Sequence, residues 1–330
     1  MNISDIAKMA GVSRAAVSRY LNQGYVSQEK REQIQAVIEQ TGYVPSASAK
    51  ALRTKKSRLI GVIAPKISSE SISHIVDGLS SELKGQGYHM LLGNTQNDAS
   101  QELEFMKVFI NNNVDGLILI ATEMTGEHIE MIESLSIPIV LIGQRLSGQY
   151  CIYHDDYHAA RELADTFFRS GIRNPSYIGV KEEDKAVGQE RKRAFLDSAA
   201  QFGISVLPAQ MVKGAFSYEA GYQGMKALWN RNPSTDGVFC VTDTIAAGAM
   251  GYLKELGIQL PKQVSVVGMG DSNLSRVISP QLTTVHYYYT ESGVKAAKIL
   301  LDLLENREVQ DREVILGYQV IPRKSLCIRQ

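Results

Sequence analysis

The feature that most constrains this chain is a repeated alternation of short apolar runs with amphipathic stretches. Leu59-Ile-Gly-Val-Ile-Ala64, His89-Met-Leu-Leu92, Gly116-Leu-Ile-Leu-Ile120 and Ile139-Val-Leu-Ile142 form one series, interrupted by helical segments such as 75–84 and 101–110. Ser176-Tyr-Ile-Gly-Val180, Gly237-Val-Phe-Cys-Val241 and Val264-Ser-Val-Val-Gly268 form a second. Strands of four to six apolar residues separated by helices are buried on both faces, which is the signature of doubly wound parallel sheets. Two such series predict two similar α/β lobes, with a ligand cleft outside the carboxyl ends of their strands.

The first ~45 residues follow a different rule. Ser4 is placed to cap a first helix through Met9, with Asp5 favourable against its dipole, and Gly11 supplies a tight turn. Ser13 caps a second helix, Arg14 to Leu21, and Ser27 a third that closes at Gly42. Three short helices with a glycine turn between the first two describe a helix-turn-helix. In that geometry Ser13, Arg14, Ala15, Ser18, Arg19 and Asn22 project outward from the second helix. Arginine can bond guanine bidentately, and Ser and Asn suit phosphates or base edges. The spacing alone is also compatible with a three-helix packing module whose arginines are merely solvated.

Charge separates these two regions. The chain has 35 basic and 35 acidic residues and no net charge, yet residues 1–60 carry +6 and the remainder −6. A basic head on an acidic body is expected where only the head meets phosphates. No run approaches the ~18 apolar residues of a membrane helix, and no secretory signal opens the chain, so a cytoplasmic protein is expected. Cys151, Cys240 and Cys327 lie too far apart for a metal or redox motif.

The stretch Ile3-Ser-Asp-Ile-Ala-Lys-Met-Ala-Gly-Val-Ser-Arg-Ala-Ala-Val-Ser-Arg-Tyr-Leu-Asn22, with Val26-Ser-Gln-Glu-Lys-Arg31 and Gly42-Tyr-Val-Pro45, closely resembles the lactose-repressor (LacI/GalR) family, and the similarity extends along the whole chain. The resemblance implies a sequence-specific regulator that binds a near-palindromic operator as a homodimer and responds to a small molecule. It implies four parts: a head over 1–45, a hinge helix and linker over 46–57, an N-terminal lobe of 58–157 plus 287–316, and a C-terminal lobe of 158–286 plus 317–330. The head contacts it suggests are Ser4, Ser13, Arg14, Ala15, Ser18, Arg19 and Asn22. Ser46, Ala49, Lys50 and Leu52 match the hinge that enters the minor groove, where Leu52 would wedge into a base step. Ser46 and Lys50 depart from the usual Asn and Arg of that hinge, and Lys lacks the planar fork.

For the effector, residues just after the strand ends are the candidates: Lys66, Arg145, Asp184, Arg191, Thr242 and Asp271. Taken singly each could be a solvated loop charge; together they suit an anionic, hydroxyl-rich molecule. The resemblance makes Arg191 the arginine that grips the effector. It also brings the cleft pattern nearest to the trehalose-repressor branch, and so points to an inducer of the trehalose or sucrose 6-phosphate type. Thr242 and Gly270 stand where many neutral-sugar repressors have Asn and Asp. A catabolite-control regulator driven by a phosphoprotein corepressor is the alternative within the same class.

Other readings carry less. His154-Asp-Asp-Tyr-His158 has helical His spacing, but Asp155 and Asp156 are better read as the start of a helix than as metal ligands. Gly268-Met-Gly-Asp lacks the third glycine of a dinucleotide site. Tyr287-Tyr-Tyr289 reads as hinge packing rather than a base-stacking platform. No catalytic constellation is evident, so neither an enzyme nor a cofactor is expected. A sugar-transport binding protein would share the two lobes but has no use for a basic head. After Pro322 no leucine heptads follow, so a dimer rather than a tetramer is expected.

Overall fold

The structure is a computed structural model that describes residues 1–43 and 56–328. Ser46, Ala49, Lys50 and Leu52, the hinge candidates, lie outside the described residues. The chain divides into two compact units, Met1–Arg58 and Leu59–Gln330.

The head contains α1 (Ile3–Met9), α2 (Arg14–Leu21) and α3 (Gln28–Thr41). Ile6, Ala7, Ala16, Val17, Ile34 and Val37 converge in its small core. Gly11 sits at φ +63°, a conformation that costs a side-chain-bearing residue, and ends α1 before α2 begins. The expected cap of α1 is corrected. Asn2 holds that position, its side chain accepting the N–H groups of Ser4 and Asp5, while the Asp5 carboxylate accepts the Asn2 N–H. Ser4 therefore lies inside the first turn; sequence inspection favoured the serine because both residue types cap well. Ser13 does cap α2, through the Ala16 N–H. Ser27 stands at the start of α3 but makes no side-chain cap bond.

The body is built on two parallel sheets. The first has the order β11-β5-β4-β3-β1-β2, from β1 (Leu59–Ala64), β2 (His89–Asn94), β3 (Gly116–Ile120), β4 (Ile139–Ile142), β5 (Tyr150–His154) and β11 (Glu313–Leu316). The second has the order β7-β6-β8-β9, from β6 (Pro175–Gly179), β7 (Met211–Lys213), β8 (Gly237–Cys240) and β9 (Ser265–Val267). A short antiparallel pair, β10 (Thr284–Tyr287) with β12 (Tyr318–Ile321), completes the strands. Every strand read from an apolar run is present within a residue or two. The strands β5, β7, β10, β11 and β12 escaped that reading, because each is short and mixes polar or charged residues with apolar ones instead of forming a solid apolar run.

Each lobe is clamped by a helix pair in close approach. In the N-terminal lobe, α4 (Glu70–Gly85) crosses α12 (Tyr289–Leu304), and a Cβ on Gly78 would lie 2.1 Å from the Thr290 carbonyl oxygen. In the C-terminal lobe, α9 (Tyr218–Arg231) crosses α10 (Asp243–Glu255), and a Cβ on Gly248 would lie 2.0 Å from the Tyr218 carbonyl oxygen. Only glycine permits these crossings, and they fix the strand ends that border the cleft. Among the described residues no helix is long and apolar enough to cross a membrane.

Candidate effector cleft and DNA-reading head

The outer face of α2 offers a row of exposed groups. Ser13, Arg14, Ala15, Arg19 and Asn22 are exposed and Ser18 is half-buried, while Ala16 and Val17 turn into the core. Arg19 Nε donates to the Ala15 carbonyl at 3.4 Å, and Asn22 Nδ2 to the Ser18 carbonyl at 2.5 Å, so both side chains lie along the helix. Ser4 is exposed on α1. Tyr25, just beyond α2, is 87% exposed.

In the body, a cleft of about 1000 Å³ opens between the carboxyl ends of the two sheets. Its floor is a buried polar cluster on Arg191, the first residue of α8 (Arg191–Gln201). Arg191 Nε and Nη2 donate to Asp156 Oδ1 at 2.7 and 2.6 Å, and Nη1 to the Val241 carbonyl at 2.6 Å. The Tyr287 hydroxyl donates to the same Asp156 oxygen at 3.0 Å, and the guanidinium lies 5.1 Å from the Tyr287 ring centroid. Asp156 opens α7 (Asp156–Arg169), capped by Asp155 through the His158 N–H. The acids at 155 and 156 thus start a helix, as the sequence suggested, but Asp156 also anchors the cleft arginine. Among the described residues no cluster of metal-ligand type is present.

Two further carboxylates face the cleft from the C-terminal lobe. Asp184 caps the π-helical turn Lys185–Glu190 through the Val187 N–H and receives Gln144 Nε2 of the N-terminal lobe at 3.4 Å. Gly188 in that turn leaves room for the loop, since a Cβ there would meet the Lys181 carbonyl oxygen at 2.0 Å. Asp243 accepts the Thr284 hydroxyl at 2.5 Å and the Ser272 N–H and hydroxyl at 2.7 and 2.9 Å. Burial raises both carboxyls to about 6, because little water remains to solvate their charge. His154, at the end of β5, is packed edge-on to Tyr287 and Tyr289, and its buried Nε2 has no hydrogen-bond partner among the described residues. Burial lowers its pKa to about 4, so the ring is neutral near pH 7.

The six effector candidates divide. Lys66, Asp184, Arg191, Thr242 and Asp271 all border the cleft. Arg145 does not: its Nε pairs with Glu313 at 2.8 Å on the outer edge of the N-terminal sheet, with the side chain 65% exposed. It follows a strand end as expected, but the carboxylate on the neighbouring edge strand β11 draws it outward. Thr242 is the cap of α10, its hydroxyl accepting the Ile245 N–H. Asp271 is tied to Arg276 at 2.8 Å, to His286 at 3.0 Å and to Arg323. Lys66 makes no ion pair among the described residues. The tyrosines read as hinge packing are cleft walls as well, since Tyr287 and Tyr289 border it.

Sequence reasoning did not place Asp156, His154 or Tyr287 in the cleft, whereas Gln144 and Asp243 border it just after strand ends, where the sequence rule looks for cleft residues. Asp243 carried a legible signal, standing beside Thr242 after an apolar strand. Asp156 and Tyr287 are 131 residues apart, and nothing local announces that they share a guanidinium.

Residues 2–46 match the bacterial regulatory proteins of the lacI family, and residues 164–326 match the periplasmic binding protein-like domain. The sucrose operon repressor of Staphylococcus xylosus is 29% identical over 314 residues, covering 95% of this chain and 97% of that protein. The HTH-type transcriptional repressor PurR of Haemophilus influenzae is 28% identical over 329 residues, covering 98% of each chain. A lac repressor dimer bound to operator and the anti-inducer ONPF superposes with a TM-score of 0.87 over 99% of both chains, at 22% identity. With a lacI-type helix-turn-helix head, a two-lobe periplasmic-binding-protein-like body and relatives that are repressors along almost their whole length, the chain belongs to the LacI family of transcriptional regulators.

Proposed function

We propose that the protein represses a carbohydrate-utilisation operon as a homodimer on a near-palindromic operator, and that a sugar taken into the cleft releases it. The operator reading rests on the exposed row Ser13, Arg14, Ala15, Ser18, Arg19 and Asn22 with Ser4, and on the hinge residues Ser46, Ala49, Lys50 and Leu52. Two heads related by a two-fold axis suit two half-sites.

The observation that carries the sugar reading is the polar array of the cleft. Asp156, Asp184 and Asp243 offer carboxylate acceptors, His154 Nε2 has no partner among the described residues, and the partly exposed Tyr288 and Tyr289 supply an aromatic wall that a sugar ring can stack on. The volume is ample for a disaccharide. The charge balance favours a neutral one. Arg191 is already neutralised by Asp156, Arg145 faces away, and several carboxylates border the same space.

A phosphorylated disaccharide, of the trehalose or sucrose 6-phosphate type that the trehalose-repressor pattern suggests, is the second reading. It is supported by Lys66 beside the N-terminus of α4, where Ser69 leaves the helix end without a side-chain cap. Titration calorimetry separates the two. Trehalose or sucrose is expected to bind, and its 6-phosphate to bind no more tightly. A 6-phosphate binding at least about tenfold tighter, or ~1.4 kcal/mol, would establish the second reading instead. If neither binds and a gel shift responds only to a phosphoprotein, the corepressor mechanism replaces both.

A further inference from the structure

A second pocket lies on the C-terminal lobe, outside the cleft. It measures about 220 Å³ and is bordered by Tyr177, Val180, Lys192, Pro208, Met211 and Lys213, among others. Three observations set it apart from an ordinary surface dent. The Tyr177 hydroxyl is buried and has no hydrogen-bond partner among the described residues, although its ring is fully accounted for by stacking on Phe239 at 6.0 Å and packing on Phe195 at 5.1 Å. Phenylalanine would fill that core equally well, and an unpaired buried hydroxyl is destabilising, so the oxygen has a use outside the core.

The second observation is charge. Lys192 Nζ and Lys213 Nζ converge on one atom, Glu182 Oε1, at 2.8 and 2.6 Å. Two ammonium groups hold one carboxylate there, and their hydrogen bonds keep Glu182 ionised down to about pH 2. The third is composition. Val180, Pro208, Met211 and Val212 give the pocket an apolar wall beside its cationic rim.

We propose that this pocket is a second ligand site, for a short-chain carboxylic acid that carries one further oxygen acceptor. The acid's carboxylate takes the place of Glu182 between Lys192 and Lys213, its carbon chain lies on the apolar wall, and its second oxygen accepts from the Tyr177 hydroxyl. At ~30 Å³ per water the volume corresponds to about seven waters, which sets the ligand at four to six carbons. The cradle already holds a carboxylate, so the exchange is like for like.

The site is also wired to the cleft. Glu182 lies between Lys181, which spans the lobes to Glu123 at 2.8 Å, and Asp184, which faces the cleft. Release of Glu182 removes one of the restraints on the segment that carries both, so the acid would alter the affinity of the cleft for its own ligand.

Titration calorimetry of the full chain with 4-oxopentanoate and pentanoate tests this. The oxo acid is expected to bind saturably, and Glu182→Gln, which removes the competing carboxylate, to tighten it by about tenfold. Lys192→Gln with Lys213→Gln should abolish binding. Tyr177→Phe should fold as the parent does and reduce the oxo acid to the affinity of pentanoate, a loss of roughly fivefold. Absence of saturable binding to the Glu182→Gln protein would overturn the proposal. So would binding that survives the double lysine change, or inorganic phosphate binding more tightly than the oxo acid.

Discussion

The two walls of the cleft are made differently. The C-terminal lobe contributes buried, pre-set groups: Asp184 and Asp243 are each held by a backbone N–H, and Arg191 is locked on Asp156. The N-terminal lobe contributes Lys66, the serines at the start of α4 and Gln144, which are mostly partly exposed and lightly tied. One wall is therefore rigid before any ligand arrives, and the other can adapt. Polar groups fixed in advance need no reordering on binding, so specificity should reside in the rigid wall and closure in the other.

The largest expected effect breaks the rigid wall. Arg191→Met leaves Asp156 charged and buried with only Tyr287 as partner, and loss of one member of such a pair costs about 3–5 kcal/mol. Thermal unfolding should show a large drop, together with loss of sugar binding. If the variant is as stable as the parent, the C-terminal wall is not pre-set by this pair.

A smaller effect sharpens the comparison through pH. The folded pKa of Asp184, about 6, lies above its ordinary value of 3.8. The folded state thus holds a proton that the unfolded chain releases between about pH 4 and 6, so this residue destabilises the fold above pH 6, and the penalty fades as pH falls through 6 toward 4. Asp184→Asn is expected to be more stable than the parent at pH 7.5, by on the order of 2 kcal/mol, with the difference shrinking toward zero near pH 4. A difference independent of pH would mean that the carboxylate is better solvated than its burial implies. His154 acts in the opposite sense, since its lowered pKa costs stability on acidification below the usual histidine range. The comparison must therefore be made between variant and parent, not along one curve.

The smallest effect concerns the clasp between the walls. Lys181→Ala removes an exposed ion pair with Glu123, worth about 0–1 kcal/mol to stability and less at high salt. Its readout is ligand affinity, which should fall by a few-fold at low salt if the pair helps hold the closed cleft. An unchanged affinity would confine the clasp to a surface role.

Much of this was legible beforehand. Gly11, Ser13 and the spacing of Ala16 and Val17 settle the helix-turn-helix locally, because caps, turns and helical period are short-range properties. The apolar runs from Leu59 to Ile142 and from Ser176 to Gly268 likewise announce two parallel sheets. The rule that cleft residues follow strand ends put Lys66, Asp184, Arg191, Thr242 and Asp271 on the border of the cleft, where the structure has them. It failed for Arg145, whose direction depends on Glu313, more than 160 residues along the chain.

What the sequence by itself determined is the pair of architectures, the basic head and the strand ends from which a cleft is lined. Only the tertiary structure decided which of those residues act together. The exchange of partners around Asp156, the outward turn of Arg145, the raised carboxyls at 184 and 243 and the empty hydroxyl of Tyr177 all depend on burial and on distant neighbours. A side chain's charge state and direction are set by the dielectric and the partners around it in space, and those are fixed only when segments far apart in the chain are brought into contact.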